Sequence, residues 1–147
     1  MMRDRNELYD LVIKNGTLVS PQGTVRADLG ILGEKIAAVG LDLSGKREID
    51  AVDKLVFPGV IDAHTHMALP VAGTRSSDDF FTGTRAAACG GVTTIVDFTV
   101  GGAETTISED IEKRQQVAKD AVIDYALHGE VIGWRPGHET EFRDAVA

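Results

Sequence analysis

A short apolar run that ends in two histidines constrains this sequence more than any other feature. The stretch Phe57 to His66 opens with a Pro-Gly break and continues as Val-Ile-Asp-Ala-His-Thr-His. Because side chains alternate along a strand, a strand over Val60 to His66 places His64 and His66 on one face together with Asp62. Two neutral imidazoles projecting from a rigid strand form half of a metal site. The spacing alone is also compatible with two hydrogen-bonded strand histidines.

The sequence after Pro58 alternates predicted strands with predicted helices. Strands are expected at Val60 to His66, Val92 to Phe98 and Ala121 to Leu127, and helices at Asp78 to Cys89, Thr106 to about Lys119 and His138 to Ala147. Val92 to Phe98 is so apolar and β-branched that we expect it to be covered on both faces. This order is typical of the opening of a (β/α) barrel or of another parallel α/β sheet.

Helix ends carry recognisable signals in this half of the chain. Ser76 or Ser77 is the expected N-cap of the first helix, and Gly90 is its expected end. Thr106 and Glu109 have the spacing of a capping box at the start of the second helix. Met67 to Ser77 is expected to be a loop, since it contains proline, glycine and serines.

The first 57 residues follow a different pattern. Met1 to Glu7 is expected to be a mobile terminus, and short aliphatic runs follow, separated by turn signals at Asn15-Gly16, Ser20 to Gly23 and Gly33-Glu34. Asn-Gly is the favoured pair for a two-residue hairpin, so a hairpin is expected at Asn15-Gly16. Further strand candidates are Glu48 to Asp50 and Lys54 to Phe57. The sequence predicts a small antiparallel sheet.

A family resemblance rests on these motifs. Pro58 to His66 resembles the first-strand metal motif of the amidohydrolase superfamily. Further segments resemble its D-hydantoinase/dihydropyrimidinase branch: Leu69-Pro70, Gly73-Thr74, Ser77 to Phe80, Thr82 to Thr84, Ala86 to Ala88, Gly90-Gly91 and Asp97-Phe98. The similarity runs from about Tyr9 to at least Phe98, and more loosely to Tyr125.

The resemblance implies an α/β fold with two parts. Residues 1–57 are expected to form a portion of an antiparallel β-sandwich, and residues 58–147 the first three βα units of an incomplete, metal-dependent TIM-like barrel. A complete barrel needs roughly 250 residues, whereas this chain has 147. We therefore expect an N-terminal portion of such an enzyme or a truncated relative.

The resemblance also implies a site. In the family, the two histidines matching His64 and His66 bind one of two zinc ions, while a carboxylated lysine, two further histidines and an aspartate come from later strands. Those ligands, and the catalytic acid/base, are expected beyond Ala147. The loop after the ligands helps to shape the substrate pocket in hydantoinases, so Met67, Leu69 and Val71 are pocket candidates, with simple loop packing as the alternative.

Other titratable residues have weaker assignments. Asp62 could orient a ligand imidazole or be held by backbone N–H groups. Asp97, at the end of a strand, is expected to have a structural or supporting role. His128 and His138 are expected to be a strand-end and a loop histidine without metal, and Cys89 a small buried residue on a helix.

The resemblance predicts a metal-dependent hydrolase that opens hydantoin or dihydropyrimidine rings by cleaving the cyclic amide C–N bond. Its substrate would be a small cyclic ureide or imide, its cofactor a divalent metal with two zinc ions in a complete active site, and the complete protein a homo-oligomer. The chain alone is expected to be inactive. Two alternatives stay open, namely another cyclic amidohydrolase (an allantoinase or dihydroorotase) and a non-enzymatic assembly relative.

Charge and composition exclude some partners. The formal net charge is −8, which argues against nucleic acid because phosphate neutralisation needs clustered cations. No apolar run approaches the length of a membrane span, and Met1 to Asp10 does not resemble a signal peptide. The single cysteine precludes an intrachain disulfide. A cytoplasmic location is the expectation.

Overall fold

The computed structural model describes residues 8–146, so the expectations for Met1 to Glu7 and for Ala147 lie outside the described residues. The chain divides into two compact units, one ending at Pro58 and the other beginning at Gly59. The fold is mixed α/β, with ten strands and three helices in the described residues.

The first unit is a five-stranded mixed sheet. Its strands are β1 (Tyr9–Ser20), β2 (Gly23–Leu32), β3 (Lys35–Gly40), β4 (Gly45–Asp50) and β5 (Leu55–Val56). The order is β3-β2-β1-β4, with β5 also on β1. The two hairpins β1–β2 and β2–β3 are antiparallel as predicted, but β4 and β5 run parallel to β1. The prediction of a purely antiparallel sheet is therefore wrong.

The buried carboxylate of Asp28 helps to hold the connection between β3 and β4 next to β1. Asp28 is 3% exposed and accepts the N–H of Leu43 at 3.1 Å, in the connection before β4. It also accepts the N–H of Asn15 at 2.8 Å. Lys14 donates to the carbonyl of Leu43 at 2.8 Å. These contacts hold the connection beside β1, and the next strand then pairs with β1 in parallel.

The predicted hairpin at Asn15-Gly16 is also wrong. Both residues lie inside β1, where the register with β2 shifts between Ile13 and Gly16, so they form a β-bulge. Asn15 has a φ of 62°, a conformation that asparagine tolerates in a bulge as well as in a turn. The first hairpin turn is at Ser20 to Gly23, as the second turn signal predicts.

The second unit alternates strands and helices. In chain order these are β6 (Val60–Thr65), β7 (Pro70–Val71), β8 (Thr74–Arg75), α1 (Phe80–Cys89), β9 (Val92–Phe98), α2 (Ile107–Ala118), β10 (Asp124–His128) and α3 (His138–Val146). The order β10-β9-β6 is parallel throughout, which confirms the predicted parallel α/β arrangement. The expected loop after the histidines contains the short antiparallel pair β7–β8.

The helix ends follow the predicted signals except at the start of α1. Asp79 is the N-cap, and its carboxylate accepts the N–H of Thr82 at 2.7 Å. Neither predicted serine has this role, since Ser76 donates to the carbonyl of His66 and accepts the N–H of Leu69. Gly90 ends α1, and Thr106 and Glu109 form the predicted capping box of α2.

The core of this unit is small. Phe80, Ile95 and Ala118 are at most 1% exposed and contact one another across α1, β9 and α2. In strand β9, Ile95 and Asp97 are buried, Thr93 is exposed and the residues of the other face are half-buried, so the prediction that both its faces are covered holds only in part. Cys89 is exposed, contrary to prediction, because it lies nine residues after Phe80 and therefore about 180° around the helix. No helix in residues 8–146 is both long enough and apolar enough to cross a membrane.

We expect Ile95→Ala to destabilise the chain by about 2–5 kcal/mol, because it removes a buried side chain from a core too small to repack. Ile61→Ala is the matched control, since Ile61 lies on the neighbouring strand and is 64% exposed, and its effect should stay within about 0.5 kcal/mol. Urea unfolding followed by circular dichroism measures both. Equal losses would contradict the assigned core.

The N-cap of α1 leads to a prediction about how the stability of the folded chain depends on pH. The backbone N–H of Thr82, followed by its hydroxyl, holds the pKa of Asp79 below its ordinary value of 3.8. The ionised carboxylate therefore stabilises the folded chain above pH 3.8, and this contribution is lost as the pH falls through the lower folded-state pKa. The stability gap between wild type and Asp79→Asn should close in acid. Unfolding curves at a series of pH values measure the gap, and a constant gap would contradict the prediction.

Candidate metal site

The two histidines converge on one point. Strand β6 ends at Thr65, with His64 before its end and His66 directly after it. Their Nε2 atoms are 3.1 Å apart, and both side chains are exposed. The rings meet edge to face, at a centroid distance of 4.9 Å and an interplanar angle of 85°. The structure therefore brings the two predicted ligands together with their ring nitrogens facing each other.

This separation fits a shared metal ion. Two imidazole nitrogens bound to one tetrahedral zinc, with Zn–N bonds of about 2.0 Å, lie about 3.3 Å apart. The observed 3.1 Å is close to that value, and it also fits a hydrogen bond between one neutral donor and one acceptor. Among residues 8–146, no group of three or more His, Cys, Asp or Glu side chains could hold a metal ion. Within the described residues, His64 and His66 thus have no third candidate ligand beside them.

An aromatic ring supports both imidazoles. The ring of Phe98, the last residue of β9, lies 4.6 Å from that of His64 and 5.0 Å from that of His66. His128 packs on the same ring at 4.6 Å, and its Nε2 lies 3.1 Å from the carbonyl oxygen of Ala63. His128 is thus a strand-end histidine, as predicted, and it also has a backbone partner.

Asp62 accepts a backbone N–H. Its Oδ1 lies 3.2 Å from the N of His64. The pairing of β6 with β9 shifts register between Asp62 and Thr65, so simple alternation of faces does not extend through this segment. The observed hydrogen bond matches one of the two roles predicted for Asp62, that of a carboxylate held by a backbone N–H group. Orientation of an imidazole by Asp62 stays a prediction.

The site rests on a buried ion pair. Asp97, fully buried in β9, accepts the Nε–H of Arg114 of α2 at 3.0 Å, and a second guanidinium nitrogen of Arg114 contacts the same oxygen. The other oxygen of Asp97 accepts the hydroxyl of Thr65 at 3.0 Å and the N–H of Met67 at 2.8 Å. Arg114 also donates to the carbonyl of Met67. These contacts agree with the structural or supporting role predicted for Asp97, because its carboxylate links Arg114 to Thr65 and Met67.

Sequence reasoning did not identify Arg114. It lies in a charged, amphipathic helix, where a cation is ordinarily solvated, yet it is only 4% exposed. Its one available sequence signal was its position on the face of α2 that carries Ile107, Asp110 and Ala118, all of which are buried. The guanidinium also lies over the ring of Phe80, with Cζ 4.8 Å from the centroid.

The three pocket candidates have different environments. Met67 packs against the core cluster, and a Cβ atom on Gly83 of α1 would approach its sulfur to 2.3 Å. This placement favours loop packing for Met67, and a side chain at Gly83 would require the flexible end of Met67 to move. Leu69 is half-buried and donates its N–H to Ser76 at 2.8 Å. Val71 is 52% exposed on β7. Contact of any of the three with a substrate stays a prediction.

The remaining histidine lies elsewhere. His138 begins α3, so it is not a loop residue, and it is 4% exposed. Its Nδ1 accepts the N–H of Arg135 at 3.1 Å, and the ring of Trp134 packs on it.

Comparisons with known proteins give the family. No family model matches the sequence. The D-hydantoinase of Ralstonia pickettii is 46% identical over 121 residues, which are 81% of this chain and 26% of that protein. The crystal structure of D-hydantoinase from Bacillus sp. AR9 aligns with a TM-score of 0.89 and 40% identity, covering 92% of this chain and 30% of that one. Dihydropyrimidinase from Brevibacillus agri NCHU1002 aligns with a TM-score of 0.88 and 41% identity, with the same coverage.

The relatives are thus hydantoinases and dihydropyrimidinases, proteins with the same α/β arrangement as the described residues. The chain belongs to the D-hydantoinase/dihydropyrimidinase branch of the amidohydrolase superfamily. This confirms the family predicted from the motifs. The chain spans about a quarter of the length of the curated relatives it matches.

The ion pair beneath the site generates a stability prediction. Arg114→Met should cost about 3–5 kcal/mol, because it leaves the buried Asp97 carboxylate without its counter-ion. Lys113→Met removes a neighbouring cation whose side chain is 64% exposed, and it should cost no more than about 1 kcal/mol. Chemical unfolding of both variants measures the difference, and a small loss for Arg114→Met would show that the pair contributes little.

Proposed function

We propose that this chain is the N-terminal portion of a metal-dependent cyclic amidohydrolase. The complete protein would open hydantoin or dihydropyrimidine rings by hydrolysing the cyclic amide C–N bond. The observation that carries the proposal is the pair of imidazole nitrogens 3.1 Å apart at the end of β6. Relatives named D-hydantoinase at 46–47% identity support the substrate class, a small cyclic ureide or imide.

The proposed architecture has two parts, one for each half of the predicted strand and helix pattern. We assign residues 1–57 to a portion of a β-sandwich and residues 58–147 to the first three βα units of a TIM-like barrel. The parallel order β10-β9-β6 supports this assignment, since barrel strands are parallel and their ligands lie at the carboxyl ends. His64 and His66 lie at such an end.

His64 and His66 are the residues that would hold a divalent ion, in a complete site one of two zinc ions. When bound, such ions supply Lewis acidity toward a carbonyl oxygen and lower the pKa of a bound water. Phe98 packs against both imidazoles and limits the directions in which they can turn. Met67, Leu69 and Val71, on the segment that follows, are the proposed contacts of a substrate side chain, and of these only Met67 packs against the core cluster.

The isolated chain should not catalyse hydrolysis. Two histidines are fewer than the three protein ligands of most catalytic zinc sites, and the described residues offer no third ligand. A 5-substituted hydantoin and a dihydropyrimidine, incubated with the chain and zinc, should show no ring opening by ultraviolet absorbance above a zinc-only blank. Turnover would overturn this part of the proposal.

Zinc binding tests the metal site directly. Purified chain of confirmed mass should bind zinc, and His64→Ala with His66→Ala should abolish this binding. His138→Gln is the matched control, because His138 has its own partners away from the site. Competition with a chromophoric chelator measures the affinities. Absence of zinc binding by the wild-type chain would mean that the two histidines do not form a metal site on their own, and it would contradict the proposal for the isolated chain.

Fragment complementation tests the activity of the whole. We expect co-expression with the complementary C-terminal part of a related D-hydantoinase to yield a complex that opens hydantoin rings. The same complex carrying His64→Ala and His66→Ala should form equally well and be inactive. Activity that survives both substitutions would contradict the proposed role of the pair. Homo-oligomerisation and a cytoplasmic location stay predictions.

A further inference from the structure

We propose that Asp97 and Arg114 are positioning residues that fix the His66 imidazole against that of His64. This inference rests on the proposed metal-binding function and concerns two residues that do not themselves face the metal. It explains how a histidine beyond the end of a strand is held in place.

The strand ladder does not hold His66. Strand β6 ends at Thr65, and its pairing with β9 is interrupted between Asp62 and Thr65. A bulge of this kind leaves ladder groups unpaired and re-aims the side chains around it. The main chain at His66 must therefore be fixed by other contacts.

One carboxylate oxygen provides two of them. Oδ2 of Asp97 accepts the hydroxyl of Thr65 at 3.0 Å and the backbone N–H of Met67 at 2.8 Å. These residues flank His66 on either side, so one atom fixes both ends of the turn that carries the imidazole. From the following segment, the hydroxyl of Ser76 donates to the carbonyl of His66 at 3.0 Å.

The other carboxylate oxygen is held by α2. Oδ1 of Asp97 accepts from Nε of Arg114 at 3.0 Å, and Arg114 also donates to the carbonyl of Met67. The guanidinium is buried over the ring of Phe80, which restricts its motion. Arg114 thus contacts both the carboxylate and the residue after His66. Partners that hydrogen-bond a ligand side chain commonly change metal affinity 10–100-fold when substituted, and we expect the lower end of that range here, since Asp97 and Arg114 act through the residues beside His66.

The test compares zinc affinity in Asp97→Asn and a matched control. An asparagine has one carbonyl oxygen, so it must turn an NH₂ group toward either the donors from Arg114 and Phe98 or those from Thr65 and Met67. Asp110→Asn is the control, because Asp110 is also buried, lies in α2, and contacts Thr105 and Lys113 rather than the histidine segment. We expect zinc affinity to fall at least about tenfold in Asp97→Asn and by less than about twofold in Asp110→Asn.

A second variant tests the inference even if Asp97→Asn does not fold. Arg114→Lys keeps the positive charge but loses the planar fork that reaches both Asp97 and Met67. Its zinc affinity should lie between those of wild type and Asp97→Asn, with an unchanged circular dichroism spectrum. Wild-type zinc affinity in folded Asp97→Asn and in Arg114→Lys would overturn the inference.

A metal-free measurement separates this inference from the proposed function. The facing imidazoles should give a nuclear Overhauser effect between the ring protons of His64 and His66 in the metal-free chain. If wild type binds no zinc, the metal proposal fails, and the effect then decides the positioning role. Loss of the effect in Asp97→Asn, with retention in Asp110→Asn, supports positioning. Retention in both variants overturns it.

Discussion

The buried ion pair between Asp97 and Arg114 is the interaction on which the second unit of this chain depends. Burying two charges is unfavourable unless they are paired and their remaining hydrogen-bonding capacity is used. Both conditions are met, since Asp97 accepts from Arg114 and also from Thr65, Met67 and Phe98. The pair joins the middle strand, helix α2 and the segment after β6. Removing either charge would therefore disturb the core and the candidate metal site together.

The pattern of the second unit was largely predictable from its sequence, because its signals are local. An apolar, β-branched run gives β9 its bounds, and the spacing of Thr106 and Glu109 gives the start of α2. The N-cap of α1 was not predictable in the same way. Three polar residues, Ser76, Ser77 and Asp79, could each cap it, and Ser76 is engaged by His66 and Leu69 instead. Arg114 was missed for the same kind of reason, since its partner is distant in sequence.

The first unit shows where a strong local signal is overridden by a distant contact. Asn-Gly favours left-handed backbone, and Asn15 adopts it, but in a bulge within β1 and not in the predicted hairpin. A hairpin there would have turned the chain back after Ile13. Instead, Asn15 donates its backbone N–H to Asp28 and its side-chain amide to Asp50, at 2.8 and 2.9 Å. These two carboxylates, far along the chain, fix a bulge within a long strand.

Strand periodicity and the family motif both predicted that His64 and His66 lie together, but β6 ends at Thr65 and its pairing is irregular, so their separation depends on contacts that no motif encodes. The pairing irregularity after Asp62 frees the end of β6 from the ladder, and Asp97, Arg114 and Ser76 then define where His66 lies. A site that needs geometry accurate to a fraction of an ångström gains from such supports. The contacts that hold the two histidines in place are a separate matter from the number of residues that could bind a metal ion. Within the described residues the supporting groups have their hydrogen-bond partners, whereas no third candidate ligand accompanies the two histidines. The contacts that hold the two imidazoles together therefore do not depend on the further ligands that the proposed metal site needs.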